Sequence, residues 1–256
     1  MSGSSAVFTI VYNEPIFLPI WLRYYSRFFA PDDIYVLDHQ SDDGSTAAHG
    51  FVRVPLERET YDDLWKVEAN ETYQRELLSR YDVVLTTDVD EIVAPDPAHG
   101  TLRDYIDAFD DDFVNCVGYE VLHMKDAEPP LFLGRPILRQ RRYWYRNAGY
   151  DKPLLSKVSM KWSSGLHSRT DGQRNRDPTL RLIHLHRMDY AICLARHRAH
   201  QHRYLEQTDI AAERSYHNRI VEEAAFERWF YEDSCFEKLG IQIDPEPIPE
   251  AWRKLV

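Results

Sequence analysis

Four short β-forming runs mark the first ninety residues: AVFTIVY (6–12), DIYVLD (33–38), FVRV (51–54) and DVVLTTD (82–88). Their β-branched content and length predict buried strands. Between the first two, EPIFLPIWLRYYSRFF (14–29) carries apolar residues at helical spacing after an Asn-Glu-Pro start that suits a helix entrance. Before the fourth, YDDLWKVEANETYQRELLSR (61–80) has the length and periodicity of an amphipathic helix. GTLRDYIDAF (100–109) predicts a short helix and FVNCVGYEVLHM (113–124) a longer strand. Strand–helix–strand alternation predicts an α/β fold: a mostly parallel central sheet flanked by helices.

Beyond residue 130 the pattern loosens. PILRQRRYWYR (136–146) and LLSKVSMKW (154–162) are expected as strands, and GLHSRTDGQRNRDP (165–178) as a polar loop. TLRLIHLHRM (179–188) predicts a strand with His184 and His186 on one face. DYAICLARHRAHQHRYLEQ (189–207) predicts a helix capped by Asp189, followed by one or two more over 210–239 and an extended Pro-rich tail. The expected organisation is a single domain overall, residues 1–205 forming the main body and 206–256 a helical C-terminal extension packed on it.

The chain has 256 residues, 43% hydrophobic and 13% aromatic, which suits a folded globule with a sizeable core. No stretch approaches the roughly 20 apolar residues needed to span a bilayer. The opening MSGSSAVFTIVYNE lacks the basic start and apolar core of a secretion signal. Cys116, Cys193 and Cys235 form no CxxC pair, which favours reduced thiols in the cytosol. The net charge of −11 is unevenly spread. Residues 1–133 carry 9 Lys and Arg against 26 Asp and Glu; residues 134–203 carry 16 against 4. A basic middle inside an acidic chain suits a small phosphorylated ligand better than nucleic acid, which the acidic remainder would repel. The alternative is an Arg-rich solvated face.

In a parallel sheet with helices on both faces, ligands bind beyond the carboxyl ends of the strands. Residues 12–14, 38–43 and 88–91 fall at such ends and are expected to converge on one crevice. The last of these follows directly from the apolar strand in VVLTTDVDEIVAPD (83–96). Carboxylates spaced Asp-x-Asp share a face, and two hard oxygen ligands suit Mg²⁺ or Mn²⁺. Packing such like charges together is unfavourable without a neutralising cation.

The segment VVLTTDVDEIV resembles the Asp-x-Asp strand end of GT-A-fold (Rossmann-like) glycosyltransferases, in particular family 2-like and family 92 (DUF23)-like members. TIVYNEPIFLPIWLRYY, YVLDHQSDDGST, GLHSRT and LIHLHRMD are similar to other motifs of that group, in the same order. The resemblance covers residues 6–125 well and 150–200 loosely. It implies a GT-A-like catalytic domain that moves a sugar from a nucleotide-diphosphate donor, a UDP-sugar by preference, to a glycan or lipid-linked acceptor hydroxyl, with Mn²⁺ or Mg²⁺. It implies Asn13, Glu14, Asp38, Lys66 and Asp88 near the nucleotide, and Asp88, Asp90, His184 and His167 in the metal shell. Glu91 would help orient that shell. Lys152, Lys157 and Arg169 are candidates to face the diphosphate. A setting in bacterial surface polysaccharide synthesis, cytoplasmic or peripheral on the inner membrane face, goes with it.

An inverting transferase needs a carboxylate to take the acceptor's proton. Asp151, in GYDKP, is the expected base, because Asp189 reads as a helix cap and Asp171 and Asp177 lie in a loop. His197, His200 and His202 have no clean shared helical face and are expected at the surface. RQRRYWYR (139–146), with interleaved cations and aromatics, is expected either to touch a sugar or anionic lipid, or to be an exposed Arg-rich strand. Two other functions stay open: a sugar nucleotidyltransferase, although TIVYNEPIF lacks its Gly-rich phosphate loop, and a non-catalytic nucleotide- or carbohydrate-binding protein.

Overall fold

The computed structural model describes residues 3–201, 207–212, 214 and 216–256. Its fold is mixed α/β, with helices flanking a central sheet of ten strands. The first part alternates as the sequence predicts: β1 (Ser5–Val11), α1 (Phe17–Tyr25), β2 (Ile34–Asp38), β3 (Val52–Pro55), α2 (Asp63–Leu78) and β4 (Val83–Thr86). These strands lie in the order β3-β2-β1-β4, and all three neighbouring pairs are parallel.

Burial on both faces explains the unbroken apolar strands. Ala6 and Phe8 of β1 pack with Tyr35, Leu37, Val84 and Leu77 of α2. Val7, pointing the other way, packs with Val36, Leu85 and the aromatic face of α1. That face consists of Phe17, Leu18, Ile20, Trp21, Tyr24 and Tyr25, all buried at helical spacing. Each such side chain contributes about 1.5–3 kcal/mol through burial. Asp62 caps α2 by accepting from the amides of Leu64 and Trp65.

The second part is β5 (Glu91–Pro95), α3 (Leu102–Ala108), β6 (Phe113–Val121), α4 (Ile137–Gln140), β7 (Tyr143–Arg146), β8 (Pro153–Ser156) and β9 (Arg176–His184). It continues with α5 (Tyr190–His200), α6 (Gln207–Ala211), α7 (Glu223–Glu232) and β10 (Glu246–Pro247). Beyond β4 the order runs β8-β6-β7-β10, with antiparallel pairs throughout. β9 runs parallel to β6 and antiparallel to β5, pairing His184 with both Glu120 and Glu91. That register draws the late histidines to the acidic turn between β4 and β5.

Several expectations need correcting. The expected strand over 136–146 is a short helix followed by β7, and Arg141, Trp144 and Tyr145 are fully buried, not exposed. Arg141 pairs with Asp189 at 2.6 Å and donates to the Pro129 carbonyl. Cation and aromatic alternation there serves the core rather than a ligand. The strand expected over 154–162 stops at Ser156. Asp189 does cap α5, accepting from the Ile192 amide. His197, expected at the surface, is buried, while His202 lies outside the described residues. No helix among the described residues is long and apolar enough to cross a membrane.

Candidate active site

A cavity of about 810 Å³ opens beyond the ends of β1 and β4. Tyr12 and Glu14 line it after β1, Lys66 from α2, and Asp88 and Asp90 from the β4–β5 turn. The far wall carries Glu120, Lys152, His167, His184, His186 and Arg196.

The aromatic face of α1 fastens the acidic turn. Trp21 Nε1 donates to Thr87 Oγ1 at 2.7 Å, and Tyr24 OH donates to the Val93 carbonyl. Tyr25 OH accepts from the Val93 amide and donates to the Glu91 carbonyl. The carboxylates are thereby held on a rigid frame.

Asp88 and Asp90 point into different surroundings. Asp88 Oδ1 lies 2.5 Å from Lys66 Nζ and Oδ2 lies 2.9 Å from Lys152 Nζ. Burial opposes its charge, but the Lys152 and Lys66 charges outweigh burial and hold the carboxyl well below the usual range. Glu91, fully buried, accepts from the Asp88 amide and pairs with Lys152 at 2.6 Å. Burial and the Asp88 charge push its carboxyl up, against Lys152. Asp88 is thus a charge held between two lysines, with both oxygens in use.

Asp90 meets imidazoles and a guanidinium instead. Its Oδ2 is 3.1 Å from His186 Nδ1 and 2.5 Å from Arg196 Nη1; its Oδ1 is 3.6 Å from His184 Nε2. Burial again works against the charge, and Arg196 and His184 reverse it, leaving the carboxyl well below its ordinary value. His184 lies between two acids, with Nδ1 2.9 Å from Glu120 Oε1. Burial lowers its pKa, but Glu120 and Asp90 push it up to about 10. The opposite holds for His186, where burial and the Arg196 charge keep the imidazole low despite Asp90.

Donor atoms of Asp90, His184 and His186 lie within 4.8 Å of one another. A carboxylate with two imidazoles suits a first-row transition-metal ion better than Mg²⁺, which prefers an all-oxygen shell. Glu120 stands behind His184 at ion-pair distance, although Oε1 and Nδ1 do not meet in hydrogen-bond geometry. His186 also forms a group with Cys193 and His197. Burial raises the Cys193 thiol in the metal-free protein.

The remaining expected site residues are placed as follows. Lys66 lines the cavity on Asp88, and Glu14 lines it on Arg196. His167 lines it too, but its Nδ1 is 2.8 Å from the Gly149 carbonyl, and it is not grouped with Asp90. A carbonyl only accepts, so Nδ1 carries the proton and Nε2 does not. Burial and the Lys152 charge hold its pKa down at about 3. The ring leans on Gly165, which has φ of +69°, and a Cβ there would lie 2.4 Å from Nε2. Asn13 and Asp38 do not line the cavity. Asn13, at φ of 51°, accepts from the Asp42 and Asp43 amides. Asp38 accepts from the Ser41 amide, Thr46 Oγ1 and Arg53 Nε. Both shape the loop after β2, so of the three expected strand-end clusters only the first and third reach the cavity.

Asp151, the expected base, is also off the cavity lining. It is buried, accepts from the Gly118 amide and pairs with Arg146, Arg174 and Arg176. For Arg146, Arg174 and Arg176 the anion is therefore the chain's own, while Lys152, Arg187 and Arg196 of the same basic segment line the cavity. Lys157 pairs loosely with Asp110 and Arg169 with Asp171, neither on the cavity, whereas Lys152 lies inside it. Sequence reasoning missed Glu120, which looks like one more residue of a buried strand, and Arg196, which looks like one more helix cation.

No family model matches the chain, and no curated protein matches it. Among solved structures, it is similar to a mannosyltransferase from Pyrobaculum calidifontis, in complex with GDP-Man and Mn²⁺. The identity is 21% and the TM-score 0.33, over 46% of this chain and 36% of that one. The match thus spans about a third of that protein, too little for anything to be carried from one to the other.

Proposed function

We propose that this chain is a metal-dependent glycosyltransferase of GT-A type, family 2-like or family 92-like. It moves a sugar from a nucleotide-diphosphate donor to an acceptor hydroxyl. The supporting observation is the convergence of Asp90, His184 and His186 in one large cavity, beside a second carboxylate held by Lys66 and Lys152. In this reading Asp90, His184 and His186 would hold the ion, and the Glu120 charge faces the ring of His184. A divalent cation held by these residues would supply charge neutralisation for the diphosphate leaving group. Lys66 and Lys152 keep Asp88 ionised and stationary, and the two ammonium groups so held are the part of this cluster that would face a diphosphate. Asp151 is not given the base role, since its oxygens are taken by Gly118 and three arginines. The acceptor is proposed to be a glycan or lipid-linked hydroxyl, in surface polysaccharide assembly.

Thermal shift and donor hydrolysis with UDP-, GDP- and CMP-linked sugars, with and without Mn²⁺, test this. A Mn²⁺-dependent rise with one nucleotide, together with slow hydrolysis, is expected. Stabilisation only by a sugar 1-phosphate plus a nucleoside triphosphate would replace it with nucleotidyl transfer. Unchanged Mn²⁺ affinity and turnover in Asp90→Ala would remove it.

A further inference from the structure

Arg196 leaves α5 and spans two elements that a divalent ion would also neutralise. Its Nε and Nη2 lie 2.9 and 2.5 Å from Glu14 Oε1. Its Nη1 lies 2.5 Å from Asp90 Oδ2 and 3.1 Å from His186 Nδ1. Those last two atoms belong to two of the three side chains whose donors converge. They are only 3.1 Å apart and little exposed, and the guanidinium Nη1 lies against both. The guanidinium is itself held in place, 14% exposed and 4.5 Å from the centre of the Phe17 ring. A lone pair that accepts from a guanidinium is unavailable to a metal ion, which would need it at about 2.0–2.2 Å.

We propose that Arg196 is a cation placeholder. It pins Asp90 and His186 in the ion-free protein and must withdraw toward Glu14 before a divalent cation can take those donors. This rests on the metal reading given above. Glu14 retains Nε and Nη2 through the exchange, so the side chain has a second seat and need not leave the cavity. Apparent metal affinity is then the intrinsic affinity reduced by the fraction of molecules in which Arg196 has withdrawn. Arg196 becomes a positioning residue whose effect appears before any donor is bound.

The test is Mn²⁺ binding to the donor-free protein, by calorimetry and by the electron paramagnetic resonance of free Mn²⁺. Wild type, Arg196→Gln and Arg196→Lys are compared. Arg196→Gln is expected to tighten binding about tenfold or more. Arg196→Lys keeps the charge but loses the fork that spans Glu14, Asp90 and His186, and is expected to tighten it by a smaller factor. A gain in Gln with Lys equal to wild type would mean simple charge repulsion and would overturn the placeholder. Equal or weaker binding in both would overturn it as well, while leaving the metal reading standing. Absence of Mn²⁺ binding in all three would remove the metal reading, and the placeholder with it. Thermal unfolding checks each variant, and if only the Lys form folds, its comparison with wild type decides.

Discussion

Glu120 Oε1 lies 2.9 Å from Nδ1 of His184, and the other nitrogen of that ring faces Asp90 at 3.6 Å. The imidazole is thus set between a carboxylate that stabilises its charge and one that shares its proposed ligand role. Glu120→Gln keeps the shape and removes the charge. It is expected to weaken Mn²⁺ binding about tenfold, the low end of the cost of losing a carboxylate behind a ligand imidazole. Calorimetric titration checks this, with circular dichroism as the control for folding.

Lys152 is buried and pairs with both Asp88 and Glu91. Lys152→Met leaves two neighbouring carboxylates without their shared cation. The expected cost is about 3–5 kcal/mol, typical of removing one partner from a buried ion pair. Urea unfolding measures it, and a loss below 1 kcal/mol would mean that the clamp is not structural.

His167 sets a pH dependence. In the folded protein burial and Lys152 hold it near 3, below its ordinary value of 6.5. Below about 6.5 the unfolded chain takes up a proton that the folded one refuses, so the contribution of His167 to stability falls as pH drops toward 3. The stability difference between wild type and His167→Gln is expected to shrink from pH 8 to pH 4. Nitrogen NMR should show a neutral ring protonated at Nδ1 at pH 6; a charged ring there would contradict the assignment.

The bond from Trp21 to Thr87 ties α1 to the start of the acidic turn. Trp21→Phe keeps most of the apolar surface but leaves Thr87 without its buried donor. A loss of about 1–3 kcal/mol is expected from thermal unfolding, together with faster amide exchange over residues 87–91.

Much of the first half could be read from local pattern. The runs ending at Val11, Asp38 and Thr86 are strands, and the aromatic spacing from Phe17 to Tyr25 marks the buried face of α1. Asp88 and Asp90 stand at a strand end, as VVLTTDVDEIV suggests. The same pattern misjudged RQRRYWYR, because an arginine's exposure depends on whether a distant acid reaches it. Arg141 finds Asp189, 48 residues away.

The sequence by itself determined where the strands and helices of the first ninety residues form and which end of the sheet carries the acids. These follow from side-chain periodicity, a property of neighbours along the chain. Only the tertiary structure decided what each acid does. Lys152 reaches Asp88 across 64 residues and Arg196 reaches Asp90 across 106, while Asp151 is consumed by its own arginines. A charge is defined by what lies within a few ångströms of it, because Coulomb interaction and desolvation act through space, and no spacing along the chain encodes that distance.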